Sequence, residues 1–217
     1  MSEYCVIFFH GYGANGMNMD PMVDAFENFF TEFDVNVECF APDGVLEHSD
    51  SRGCHMWYNL TSLNHEVLQE GIHESFHEIQ NYIERASDGR KTFLVGFSQG
   101  GHVALHMALH SGLPNIVGAI SFSGFLPPID ERIYPDRQLL LVHGNADQVV
   151  PLQTFQDTVG YLTQKGIPFQ AHLVPDTDHH ICEQGLFIAE LFIGQALTEL
   201  EYDNEAQEQD SDLDDND

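Results

Sequence analysis

Basic residues are scarce in this chain. Its 217 residues include 7 Lys and Arg against 35 Asp and Glu, a formal net charge of -28. Nucleic acids and anionic membranes are bound by Lys and Arg that displace counterions, so the shortage argues against both as partners. The chain also lacks any run near the roughly 18 apolar residues of a membrane span, so no stable membrane insertion is expected. The apolar stretch at Tyr4–Phe9 is short, has no basic start and leads directly into His10-Gly11, unlike a signal peptide. Cysteines are few and scattered: Cys5, Cys39, Cys54 and Cys182, with no CxxC pair. Neither a zinc site nor a disulfide framework is expected, and free thiols suit a reducing, cytoplasmic setting.

What is present is a globular composition with an acidic end. The hydrophobic fraction of 42% is ordinary for a folded domain. Residues 201–217 carry nine acids and no base, yet the remainder still has 26 acids against 7 bases. The acidity therefore belongs to the whole surface and reads as a solubility device rather than a docking surface for a basic partner. The expected organisation is one domain over 1–200, followed by an acidic disordered tail over 201–217.

Short apolar runs alternate with longer helical patterns. Strands are expected at Cys5–Phe9, Val35–Ala41, Thr92–Phe97, Ile116–Phe122, Gln138–His143 and Phe169–Val174. Helices are expected at Asp20–Phe33, His65–Ala86, Gln99–Ser111, Leu152–Lys165 and Glu183–Leu200. This alternation predicts an α/β domain with a mostly parallel sheet flanked by helices. Sites in such sheets lie beyond the carboxyl ends of the strands. Chemically capable residues gather there: His10-Gly11, Ser98, Ser123-Gly124, Asp147 and Asp178-His179 each follow a strand.

Gly96-Phe97-Ser98-Gln99-Gly100 fits G-x-S-x-G between a strand and a helix, the context in which that motif places a nucleophilic serine on a sharp turn. A serine hydroxyl needs a base, commonly a histidine held by a carboxylate. The chain order in this arrangement is Ser, then Asp or Glu, then His. Asp147 follows the strand Gln138–His143 by a short turn and is the candidate carboxylate. Asp136, Asp157, Asp176 and Asp178 are placed less well. After the last strand, both His179 and His180 can reach the site, and spacing alone does not separate them. His102, His106 and His110 recur every four residues on one helix, but without the full ligand set that a metal needs they read as helix-face or core histidines. The loop 10–16, with three glycines, can bring a Tyr12 N–H beside that of Gln99 as an oxyanion hole. Trp57 and Phe125 are candidate walls of the substrate pocket.

Four segments in register, residues 10–16, 96–101, 143–151 and 178–186, together resemble the carboxylesterase/phospholipase family of α/β hydrolases, which includes the acyl-protein thioesterases. The likeness runs from about residue 4 to residue 195. It implies a compact α/β-hydrolase fold without a large lid. It also implies a serine esterase acting on carboxylic esters, lysolipids or S-acylated substrates of modest acyl chain, with no metal or organic cofactor. The family's closing motif implies that His179, rather than His180, is the base. Trp57-Tyr58-Asn59 resembles a W-F/Y-D segment, with Asn59 where Asp is frequent, and Asp178 stands where Gly usually precedes the histidine. Two rival readings are a peptidase on the same fold and a non-catalytic module binding a basic partner.

Overall fold

The computed structural model describes every residue except Met1, Asp50, Ser51 and Asp215–Asp217. Six strands form one parallel sheet: β1 (Tyr4–Phe9), β2 (Val37–Phe40), β5 (Lys91–Phe97), β6 (Ile116–Phe122), β7 (Gln138–Gly144) and β8 (Gln170–Val174). The strand order is β2-β1-β5-β6-β7-β8. Five helices flank it: α1 (Asp20–Glu32), α2 (His65–Ser87), α3 (Gln99–His110), α4 (Leu152–Lys165) and α5 (Glu183–Asp214). The mostly parallel architecture matches the expected fold class. The long loop between Pro42 and Asn64 also forms a small antiparallel pair, β3 (Leu46–Glu47) with β4 (His55–Met56), which no periodicity in so short a segment could announce.

Alternation along the strands divides the core into two apolar layers. Ile7 and Phe9 of β1 and Leu94 of β5 pack with Ile72 of α2, Val103 of α3 and Leu162 of α4. Val6 and Phe8 of β1 and Val95 of β5 face the other way, onto Phe26 and Phe30 of α1 and Phe192 and Ile193 of α5. A strand covered on both faces reads as a continuous apolar run, which is why β1 shows no polar alternation. The chain leaves β1 for β2 on one side and later returns to β5 on the other. The crevice above β1 and β5 is thus the switch point where ligands of open parallel sheets bind.

The last helix differs from expectation. It continues to Asp214 rather than ending at Leu200, so most of the segment expected to be disordered is helical here. The segment has no Pro or Gly after Gly194, and its Glu, Gln and Ala residues favour helix. Among the described residues no helix is long and apolar enough to cross a membrane.

α3 is buried along its whole length, histidines included. His102, His106 and His110 stack in sequence, with ring centroids 5.8 and 4.8 Å apart. The Tyr58 hydroxyl pairs with His102 Nδ1 at 2.6 Å. Burial lowers the pKa of all three, that of His102 to about 3 from the ordinary 6.5. The nearby imidazoles, His73 included, push His106 further in the same direction. Each folded imidazole therefore binds a proton more weakly than it would in the unfolded chain, so stability is present above about pH 6.5 and lost as pH falls towards 3. Acid also relieves the self-repulsion of the anionic surface, so a variant comparison isolates the imidazole contribution. Replacing His106 by Leu, similar in bulk and without a titrating group, is expected to make the fall in unfolding free energy between pH 7 and pH 5 shallower. Urea melts at the two pH values check this, and an identical slope in both proteins contradicts it.

Candidate active site

Ser98 sits between β5 and α3 with φ 54° and ψ -117°. A non-glycine residue there is strained by about 1–3 kcal/mol and persists only where its surroundings fix it. They do so through backbone contact. A Cβ on Gly96 would lie 2.0 Å from the carbonyl oxygen of Gly100, and one on Gly100 would lie 1.9 Å from that of Phe9. On Gly101 it would meet Ser121 Oγ at 2.6 Å. The Ser98 N–H donates to the Phe122 carbonyl at 2.8 Å, tying the turn to β6. The glycines around the serine are thus demanded by close packing of β1, β5, β6 and α3, and the N-terminal end of α3 directs its partial positive charge at the turn.

The other two residues arrive on adjacent loops at the same sheet edge. His179 Nε2 lies 3.0 Å from Ser98 Oγ, and Nδ1 lies 2.7 Å from Asp147 Oδ2. A carboxylate only accepts, so Nδ1 carries the proton and the lone pair of Nε2 faces the serine hydroxyl. Asp147 Oδ1 accepts from the amides of Val149 and Val150, both at 2.9 Å. Burial pushes this carboxyl's pKa up, but the hydrogen bonds from His179, Val150 and Val149 outweigh it and hold the group below the ordinary 3.8. It therefore stays ionised through neutral pH. His180, the alternative that spacing left open, points away: it is exposed and pairs with Asp178.

The loops bearing Asp147 and His179 are stapled together. The Asn145 N–H donates to Val174 at 3.0 Å, that of Ala146 to Thr177 at 2.9 Å, and Asn145 Oδ1 accepts from the Asp176 amide at 2.8 Å. A Cβ on Gly144 would stand 2.2 Å from the Thr177 carbonyl oxygen. Buried His143 supports the same turn by donating from Nε2 to the Val150 carbonyl at 3.0 Å. Gly144, Asn145 and His143 were not singled out as positioning residues from the sequence. Gly144 and Asn145, three and two residues ahead of Asp147, were the available signal.

The loop after β1 is fixed from beneath. His10 Nε2 accepts the Gly44 amide at 2.8 Å, so its Nδ1 carries the proton and donates to the Gly11 carbonyl at 2.7 Å. The Gly13 amide donates to His55 at 2.9 Å, and the His55 amide to Ala14 at 2.6 Å. Gln99 opens α3, so its amide is one of the first-turn donors without an intrahelical partner. Its side chain is a clamp: Oε1 accepts the Trp57 amide at 3.0 Å and Nε2 donates to the Tyr58 carbonyl at 2.7 Å.

Trp57 and Phe125 separate. Phe125 lines a cavity of about 370 Å³ beside Ser98, with Leu60, Leu63, Val149 and Val150. Trp57 does not line it. It is 2% exposed, its indole N–H donates to the His10 carbonyl at 2.9 Å, and its ring packs edge-on against Phe9. The expectation that Trp57 walls the pocket is corrected: the ring holds the loop after β1 from below. Leu60, Leu63 and Val149 were not anticipated. Among the described residues no group of three or more His, Cys, Asp or Glu could hold a metal.

A family model described as phospholipase/carboxylesterase matches residues 2–197. The chain belongs to that family. Membership makes it a carboxylic ester hydrolase with the α/β-hydrolase fold, and no large lid covers the site among the described residues. Acyl-protein thioesterase 1 homolog 1 of Dictyostelium discoideum is 23% identical over 206 residues, covering 88% of this chain and 90% of its own. The crystal structure of esterase PE8 superposes with a TM-score of 0.75 at 23% identity, over 90% of this chain and 93% of that one. Zea mays acyl-protein thioesterase 2 superposes with a TM-score of 0.71 at 21% identity, covering 91% and 95%.

Replacing Gln99 by Ala leaves the α3 amide in place but strips partners from two buried backbone groups. Each orphaned group costs about 1–3 kcal/mol. The variant is expected to unfold at distinctly lower urea concentration with an unchanged m-value, and a midpoint equal to wild type contradicts the clamp.

Proposed function

We propose that the protein hydrolyses carboxylic esters or thioesters of modest acyl chain through a Ser98–His179–Asp147 triad and an acyl-enzyme. The observation that carries this reading is the unbroken hydrogen-bond chain from Ser98 Oγ through both nitrogens of His179 to Asp147. His179 Nε2 takes the hydroxyl proton as Ser98 Oγ attacks the acyl carbon. The amides of Tyr12 and Gln99 hold the resulting oxyanion, an interaction typically worth about 3 kcal/mol per donor. The intermediate collapses as Nε2 returns the proton to the departing oxygen or sulfur. Water then repeats the sequence against the acyl-enzyme, and no metal or organic cofactor takes part. Asp147 keeps Nδ1 protonated and stabilises the imidazolium.

The acyl group occupies the cavity beside Ser98. Its apolar lining and limited volume favour short to medium chains, whether from small esters, lysolipids or S-acylated substrates. We place the protein in the reducing cytoplasm, a reading supported by its four free thiols, two of which burial makes harder to ionise, with Cys5 raised to about 11 and Cys39 to about 12. The catalytic domain ends near residue 200, in keeping with a family match that stops at residue 197, and the acidic segment beyond serves solubility.

A fluorophosphonate probe is expected to label wild type, and neither Ser98→Ala nor His179→Ala. Label persisting on Ser98→Ala overturns the nucleophile assignment. Asp147→Asn reverses the hydrogen-bond preference of Nδ1 and is expected to lower kcat by about 10³–10⁴-fold. A drop below tenfold on p-nitrophenyl butyrate contradicts the role of Asp147.

A further inference from the structure

A second cavity opens on the other side of His179. It measures about 440 Å³; Met19, Met22, Phe97, Ile181 and Leu186 give it apolar walls, and Tyr12, Asn18, His179 and His180 are its polar side chains. It shares Gly11, Tyr12, Phe97 and His179 with the cavity beside Ser98. The Phe97 ring lies 4.8 Å from the His179 ring, so these two side chains stand as a ridge between the cavities. Among the described residues no carboxylate, Lys or Arg lines the second cavity.

We propose that this second cavity is the leaving-group subsite, and that it takes the neutral, apolar alkyl or aryl part of an alcohol or thiol. The inference rests on the triad reading and adds the identity of the departing half of the substrate. The side of departure follows from bonding. Ser98 Oγ bonds to the acyl carbon, so the acyl substituent lies beside Ser98, which lines the first cavity and not the second. On collapse, the bond from acyl carbon to leaving oxygen or sulfur breaks, and its electron pair goes to that atom. The proton held on His179 Nε2 moves to the same atom, and a neutral alcohol or thiol departs. The departing atom must therefore sit on the histidine side, and the second cavity is walled by the histidine's own turn through His180 and Ile181.

The chemistry of the wall selects the group. A quaternary ammonium head would meet no carboxylate there, and a glyceryl group would exchange water for few partners, Asn18, Tyr12 and His180 beside a mainly apolar wall. An alkyl or aryl group buries apolar surface at no such cost. Met19 and Met22 are unbranched and polarizable, so the wall adapts to alkyl and ring shapes alike.

The test varies one half of the substrate at a time. With butyrate as the common acyl group, kcat/KM is compared for ethyl, n-hexyl, glyceryl and choline esters. The hexyl ester is expected to exceed the ethyl ester by about tenfold or more, from partial burial of four added methylenes. The glyceryl and choline esters should gain nothing over ethyl. Leu186→Trp narrows the cavity and is expected to bring the hexyl-to-ethyl ratio close to one, while the preference between ethyl butyrate and ethyl octanoate persists. Leu186→Gln supplies the same readout should the tryptophan variant fold poorly. A wild-type ratio near one, an unchanged ratio in both variants, or loss of acyl-length preference instead of leaving-group preference each overturns the subsite. Absence of Ser98-dependent hydrolysis of every ester overturns the triad reading itself, a distinct result.

Discussion

The Ser98 hydroxyl stands above the sheet because three stretches of backbone touch there with no side chain between them. Gly96 faces the Gly100 carbonyl, Gly100 faces that of Phe9, and Gly101 packs on β6 through Ser121 and Gly124. A single methyl group at any of these glycines would force strand and helix apart. Positive φ at Ser98 is the consequence, since a helix starting this close to the strand that feeds it leaves only a sharp bend between them. The strain persists because α3, buried throughout, has nowhere else to go. The rest of the site is built around a serine whose position is fixed by this packing and by the hydrogen bond from its own N–H to the Phe122 carbonyl.

Polar groups around that point divide into those that titrate into use and those kept from titrating. Asp147 is buried yet ionised, because three donors converge on it. His10, His143 and the three histidines of α3 are buried without a comparable acceptor, and burial lowers their pKa values so that they stay neutral. A protein with 13 histidines and a strongly acidic surface could easily trap an imidazolium inside. His179 instead bridges the ionised Asp147 carboxylate and the serine hydroxyl, each at hydrogen-bond distance. Neutral imidazoles act as structural donors and acceptors: His10 shapes the loop after β1 and His143 the turn that carries Asp147.

The sheet was legible in the sequence because buried strands and amphipathic helices differ in period and length. β6 and α4 were bounded correctly to the residue. The serine turn was legible because its glycines serve steric needs that no other residue meets. The choice between His179 and His180 was not legible from spacing, since adjacent residues on a loop differ only in which way the chain turns. It became visible in the likeness to a family motif, and in the structure His180 is drawn outward by Asp178. Trp57 was misjudged for a related reason. An aromatic in a long loop reads equally as pocket wall or as buried bracket, and only the loop's path settles which. The far end of α5 was missed because charge density argues for disorder, whereas a segment free of Pro and Gly can still continue a helix that tertiary packing has already started.

That loop path also determines the openness of the site. Residues between Pro42 and Asn64 could have arched over Ser98 as a lid. Instead Gly44, His55 and Trp57 from this stretch hold the loop after β1 from beneath through backbone and indole hydrogen bonds. Only the end of the stretch, at Leu60 and Leu63, returns to line the cavity beside Ser98. A loop used for clamping cannot also close. Two recesses then stay open on either side of the ridge at Phe97 and His179. Rigidity under the loop after β1 and openness above it are thus two results of one routing of the chain.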